Sequence, residues 1–119
     1  MFLNYSNHPS SDWEDAQLAA AEKYGQIEDL PFPRVSPRAD IDEIVALAHE
    51  QARFIAEMHP AAVMCQGEMT LVYHLVRLLK EMNIPVLCAC TERASHAYPL
   101  ANGITEKRSQ FRFVRFREY

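Results

Sequence analysis

An α/β fold with a mostly parallel sheet between helices is predicted by three observations on this sequence. Short apolar runs alternate with amphipathic stretches in the order strand, helix, strand. The runs at residues 61–65 and 84–90 lack polar alternation, as expected of strands covered on both faces. The three glycines, Gly25, Gly67 and Gly103, all fall at proposed turns.

Each element has its own signal. Residues 2–6 form a short, aromatic-containing run that ends in the loop residues Asn7, His8, Pro9 and Ser10, which reads as a first strand leaving the core. Ser11 with Glu14 makes a capping box, so a helix is expected to start there, to carry Trp13, Gln17, Ala20 and Ala21 at helical spacing, and to stop at Gly25. Residues 26–30 suggest a second strand. Pro31, Pro33 and Pro37 remove backbone donors and fix φ, which makes residues 31–38 an extended loop, a lid or a contact surface.

Asp40 with Glu43 repeats the capping box, and Ile44, Leu47, Ala48, Ile55 and Met58 give the next helix an apolar stripe that Pro60 ends. The third strand follows at residues 61–65. Gly67 then turns the chain into a helix with Met69, Val72, Tyr73, Val76, Leu79 and Met82 on one face. After a fourth strand at 84–90, Asn102 and Gly103 signal the turn of a terminal hairpin. The change of parity from Phe111 and Phe113 to Val114 and Phe116 implies a bulge or burial on both faces. Joined by right-handed crossovers, these elements predict a Rossmann-like three-layer fold with a C-terminal β-hairpin.

With 119 residues, one core is expected, spanning residues 1–119 as a single domain. A formal charge of −4, with 49% hydrophobic and 24% charged residues, is globular composition and names no partner by itself. Its distribution says more, because Lys107, Arg108, Arg112, Arg115 and Arg117 crowd the last stretch, which leaves room for a local anion site. The first residues lack the pattern of a signal peptide and no apolar run is long enough to span a bilayer, so a cytoplasmic protein without membrane contact is expected.

Cys65, Cys88 and Cys90 are odd in number and sit in apolar runs, the pattern of reduced, buried thiols. His49, His59, His74 and His96 show no ligand spacing, and Cys88 with Cys90 lacks the second pair of a zinc site, so neither metal nor cofactor is expected. The signatures of P-loop, zinc-deaminase and serine-hydrolase sites are absent.

If the strand order is two, one, three, four, the crossovers diverge between strands one and three, and a ligand belongs beyond their carboxyl ends at Ser6 and Gln66. The site is therefore expected where residues 6–11 meet residues 66–70. His8 brings an imidazole, the side chain suited to proton transfer near neutral pH, into a loop of Ser6, Asn7, Ser10 and Ser11. Asn7 offers hydrogen bonds to a ribose or a base edge, and Ser11 is mainly the helix cap.

Gln66, Gly67 and Glu68 enter the next helix without a Ser, Thr, Asp or Asn cap. Either the backbone amides of residues 67–70 receive an anion, or Glu68 or Thr70 satisfies them internally. Thr91, Glu92 and Arg93 follow the fourth strand on the same edge, where an arginine fork suits phosphate oxygens, the alternative being a Glu92–Arg93 surface pair. Arg112, Arg115 and Arg117 alternate with aromatic residues, a nucleic-acid-binding pattern that also describes an ordinary half-buried strand; the structural reading is favoured.

Taken in order, Phe2, Leu3, Asn4, Tyr5, Ser6, Asn7, His8, then Gln66, Gly67, Glu68, Met69, Thr70, then Thr91, Glu92, Arg93, and the ending at residues 111–119 carry a family resemblance. They resemble small CRISPR-associated proteins of type III systems, a group related to the Rossmann-like CARF domains that bind cyclic oligoadenylates. The likeness covers both ends and the middle and is weak at residues 12–60.

What it implies is a role in antiviral defence as a ring nuclease, a phosphodiesterase-type enzyme that binds cyclic tetra-adenylate, cuts it, and so switches off the nucleases this messenger activates. Metal-free cleavage would use a ribose 2′-hydroxyl on the adjacent phosphate and leave a linear product with a 2′,3′-cyclic phosphate. On that reading Arg93 and the amides of residues 67–70 hold the phosphate. His8 is the acid or base, with Glu68 as the alternative, and Ser6, Asn7, Ser10, Gln66, Gly67, Met69, Thr70, Thr91 and Glu92 surround the ligand. A ring of four nucleotides is large and symmetric, so a homodimer sharing it is the economical arrangement, with no long nucleic acid as partner. The competing readings are a non-catalytic sensor or sponge for the same ring, and a protein-interaction module that docks through the proline-rich loop and the last strand.

Overall fold

The computed structural model describes the backbone of residues 1–119 and every side chain except those of His96, Tyr98 and residues 106–109. Lys107, Arg108 and His96, singled out above, thus lie outside the described side chains. In chain order the elements are β1 (Phe2–Tyr5), a 3-10 turn (Ser10–Asp12), α1 (Asp15–Glu22), β2 (Ile27–Leu30), α2 (Ile41–Glu57), β3 (Ala62–Cys65), α3 (Met69–Glu81), β4 (Val86–Pro99) and β5 (Thr105–Glu118). The sheet runs β2-β1-β3-β4-β5, with every neighbouring pair parallel except the antiparallel β4 and β5.

The period-2 alternation of β1 and β3 divides the core in two. Leu3, Tyr5, Val63 and Cys65 face α2 and α3, meeting Ile44, Ala48, Ala52 and Ile55 of one helix and Leu71, Leu75 and Leu79 of the other. Phe2, Ala62, Met64 and Leu87 face the opposite way and pack with Ala21, Trp13 and Phe116. On that second face Phe2 lies 5.1 Å from the Phe116 ring and meets Trp13 edge-on. Asp40 caps α2 as its spacing suggests, its carboxylate accepting from the Glu43 N–H at 3.0 Å.

Three expectations need correction. The Ser11–Glu14 capping box does not form: α1 begins only at Asp15, and Glu14 precedes it without a side-chain cap. The reason is competition, since the Glu14 carboxylate accepts from the Phe113 N–H of β5 at 3.3 Å, and Ser10 is bound to Asp29. Trp13 consequently lies ahead of the helix rather than on it.

In α3 the buried stripe is Leu71, Leu75, Val76, Leu78 and Leu79, whereas Met69 and Tyr73 are 84% and 65% exposed, so the helix carries apolar groups on two faces. The fourth strand does not stop at residue 90 before a separate hairpin; β4 itself continues to Pro99 and pairs with β5 along its length. Polar residues such as Glu92 and Ser95 read as loop, yet a solvated ribbon tolerates them on both faces. The parity change in the last strand has its cause here: Cys90 faces Arg115 and Thr91 faces Phe113, leaving Val114 as the extra residue of a bulge. Gly103 closes the hairpin turn at a positive φ of 82°.

Candidate functional site

The chain leaves β1 toward β2 on one side, and β3 lies on the other, so the carboxyl ends of β1 and β3 flank a switch point. Buried Asn4 shapes the loop beyond β1. Its Nδ2 donates to the His8 carbonyl and to Asp29 Oδ1, both at 2.8 Å, while its Oδ1 accepts from the Ser6 hydroxyl at 2.6 Å. The Ser6 hydroxyl in turn accepts from the His8 N–H at 3.2 Å. Trp13 Nε1 donates to the same His8 carbonyl at 3.0 Å, and Asp29 takes both the N–H and the hydroxyl of Ser10. These bonds grip the backbone of the loop and leave the side chains of Asn7 and His8 exposed on its crest.

Beyond β3, Gln66 reaches sideways so that its Oε1 accepts from the Ala89 N–H of β4 at 2.6 Å. Gly67 is required by close approach, because a Cβ there would lie 2.6 Å from the ring of Phe32. That ring is buried against Tyr5, 5.1 Å away, and anchors the proline-rich segment beneath the crest.

Glu68 then caps α3. Its carboxylate accepts from the Thr70 N–H at 3.1 Å, the Leu71 N–H at 2.8 Å and the Thr70 hydroxyl at 2.6 Å. Of the two alternatives left open for this helix start, internal satisfaction describes Thr70 and Leu71. The Thr70 hydroxyl, followed by the amides, holds the Glu68 carboxyl below its ordinary value of 4.5, so Glu68 is an ionised acceptor rather than a proton donor near neutral pH. Its stabilising contribution is fully present above that ordinary value and is lost as the pH falls through the lowered native one. Glu68→Gln, which keeps an acceptor oxygen but loses an exposed, solvent-screened charge, is expected to lower stability by a few tenths of a kcal/mol near pH 7. Urea-unfolding curves of the two proteins should converge in acid; a constant gap would show that the charge is not what caps the helix.

A cleft of about 1170 Å3 opens from this crest. Asn7, His8, Gln66, Gly67 and Met69 form one end, and it runs along the outer face of α3 past Tyr73, Arg77 and Lys80 to Tyr119. Tyr119 is fixed by its hydroxyl, which donates to the Cys65 carbonyl at 2.7 Å, and by its carbonyl, which accepts from Lys80 Nζ at 2.6 Å. Burial, then the neighbouring Cys65, pushes the Tyr119 phenol up to about 12, and burial pushes the Cys65 thiol up to about 12. Both stay protonated and unreactive at neutral pH. Burial and the adjoining Cys90 likewise raise Cys88.

The residues expected at the site separate into groups. Asn7, His8, Gln66, Gly67 and Met69 come together in the cleft. Ser6, Ser10 and Thr70 sit beside it with their hydroxyls bonded to Asn4, Asp29 and Glu68. Thr91 borders a smaller cleft of about 460 Å3 on the opposite face of the sheet, with Asp12, Trp13, Gln17 and Phe111; His8 and Gln66 border both clefts. Glu92 and Arg93, on β4, line neither of the two. Tyr73, Arg77, Lys80 and Tyr119 were missed as site residues. The available signal was α3 itself, whose apolar residues exceed what one buried face needs, with two cations one and two turns beyond Tyr73.

Fold and site together define an α/β protein with an open cleft at the carboxyl edge of a mostly parallel sheet. The chain belongs to the family described as Uncharacterized protein MJ1673 family, which it matches over residues 1–117. No curated protein and no solved structure matches it. Among the described residues no helix is long and apolar enough to cross a membrane.

Proposed function

We propose that this protein is a ring nuclease of the CARF-like, Rossmann-like kind, binding cyclic tetra-adenylate in the cleft beside α3 and opening it without a metal. The observation that carries the reading is the composition of that cleft. A hydrogen-bonding crest of Asn7, His8 and Gln66 adjoins an exposed Tyr73 and Met69 and the cations Arg77 and Lys80. A ligand made of phosphates, riboses and flat bases matches each of these, by charge, hydrogen bonding and stacking respectively. The resemblance in the residues of the crest supplies the identity of the ring.

In the proposed reaction a ribose 2′-hydroxyl attacks the adjacent phosphorus as the bond from phosphorus to the 5′-oxygen breaks. The 2′ proton is taken up by a base and the leaving 5′-oxygen receives a proton, giving a linear product with a 2′,3′-cyclic phosphate and a free 5′-hydroxyl. His8 moves the proton, Arg77 and Lys80 offset the phosphate charge, and Asn7 and Gln66 orient the ribose. Two copies would share the symmetric ring. A product of this kind would end type III CRISPR signalling in the cytoplasm.

Two observations favour the non-catalytic sponge instead: Glu68 is committed to its helix, and Arg93 does not line the cleft. Incubation with excess cyclic tetra-adenylate and a chelator, followed by chromatography, separates the readings. Linear fragments over repeated turnovers support the enzyme, an intact ring retained by the protein supports the sponge, and an intact ring that is not retained removes both.

A further inference from the structure

We propose that the outer part of the β4–β5 ribbon is an arm by which two copies of this chain clasp each other, each arm lying on the acidic α1 side of its partner. The inference stands apart from the identity of any ligand. β3 holds β4 only at Val86 and Leu87, so beyond the bulge at Cys90 and Thr91 the two strands have chiefly each other. The molecule measures 57 × 37 × 21 Å, and its radius of gyration is 17.4 Å where a compact chain of this length has about 13.5 Å. A two-stranded ribbon alone in water is marginal. This one also exposes Phe111 by 64%, Val114 by 54% and Ile104 by 60%.

Charge selects the occupant. Beyond the bulge, residues 91–113 have four Lys or Arg against two Asp or Glu, whereas the rest of the chain has eight against fourteen, so an arm of +2 is joined to a body of −6. A second arm repels the first, and the bulge and arginines of β5 discourage edge-to-edge pairing. A polyanion would meet the acidic body, which argues against nucleic acid. The body of a second copy attracts the arm.

The α1 side fits best, because a single short helix covers that face. Exposed Asp12, Glu14, Asp15 and Glu22 lie in or just before α1, the first two at the smaller cleft that Trp13 and Phe113 also line. Arg112 and Arg115, with Val114 between them, present the complementary mixture of cation and apolar surface, while Phe111 turns to the cleft of its own chain. Reciprocal docking of arm on body closes as a two-fold pair.

Sedimentation of the full chain tests this. A dimer is expected that weakens between about 50 mM and about 500 mM salt. R112E/R115E should loosen it by roughly tenfold or more and V114D by at least several-fold, with unchanged circular dichroism. D12K/D15K should loosen it equally, and mixing that variant with R112E/R115E should restore pairing. A monomer at about 0.1 mM, a dimer indifferent to salt, or one untouched by the arm variants would overturn the proposal, as would failure of the mixed pair to recover. Monomers that bind single-stranded RNA through Arg112 and Arg115 would replace it with a nucleic-acid arm.

Discussion

His8→Ala is expected to leave affinity for cyclic tetra-adenylate within a few-fold and to cut its single-turnover cleavage by about 10² to 10⁴. The structure makes this separation testable, because the bonds that tie His8 to Asn4, Ser6 and Trp13 run through its backbone carbonyl and N–H. Removing the imidazole therefore leaves Asn7 and the crest in place. Of the cleft's protonatable groups, Tyr119 is held protonated by burial and Glu81 lies at the far end near Lys80, well along α3 from the crest. An unchanged rate would remove His8 from the chemistry. Loss of affinity with an unchanged rate constant at saturation would make it a contact residue instead.

Asn4→Leu is expected to cost about 3 kcal/mol of folding stability, read as a fall in the urea midpoint. Leucine approximates the volume of the side chain but satisfies none of its partners. The Ser6 hydroxyl, buried with its residue 4% exposed, loses its short bond at 2.6 Å and keeps only the His8 carbonyl at 3.5 Å, and the His8 carbonyl and Asp29 lose a donor. The penalty arises from orphaned polar groups rather than from a cavity. Because the same bonds fix the crest, ring affinity should fall along with stability, unlike the outcome for His8→Ala. A loss below about 1 kcal/mol would show that Trp13 and Asp29 hold the loop by themselves.

Much of the fold was legible because its signals are local. The unbroken apolar run at residues 61–65 announced a central strand, and Asp40 three residues before Glu43 announced the start of α2. The strand order places Ser6 and Gln66 at the switch point, as the alternation of elements suggested. What escaped the sequence depended on partners distant along the chain. Ser11 and Glu14 have the spacing of a capping box, but Glu14 bonds to Phe113, 99 positions away. The second face of α3 looked like core because Met69 and Tyr73 share a helical period with buried residues, and periodicity cannot tell a wall of a cleft from a wall of the core. The ribbon was misread for the complementary reason: pairing, without burial, keeps Glu92 to Ser95 extended.

Phe32 sits under Gly67, although 35 positions separate them in the chain. The ring acts as a shim that sets the height of the loop above the sheet. Enlarging residue 67 would lift the crest, while shrinking residue 32 would let it sag, so the geometry presented by Gln66 is adjusted from behind, through a segment that never enters the cleft.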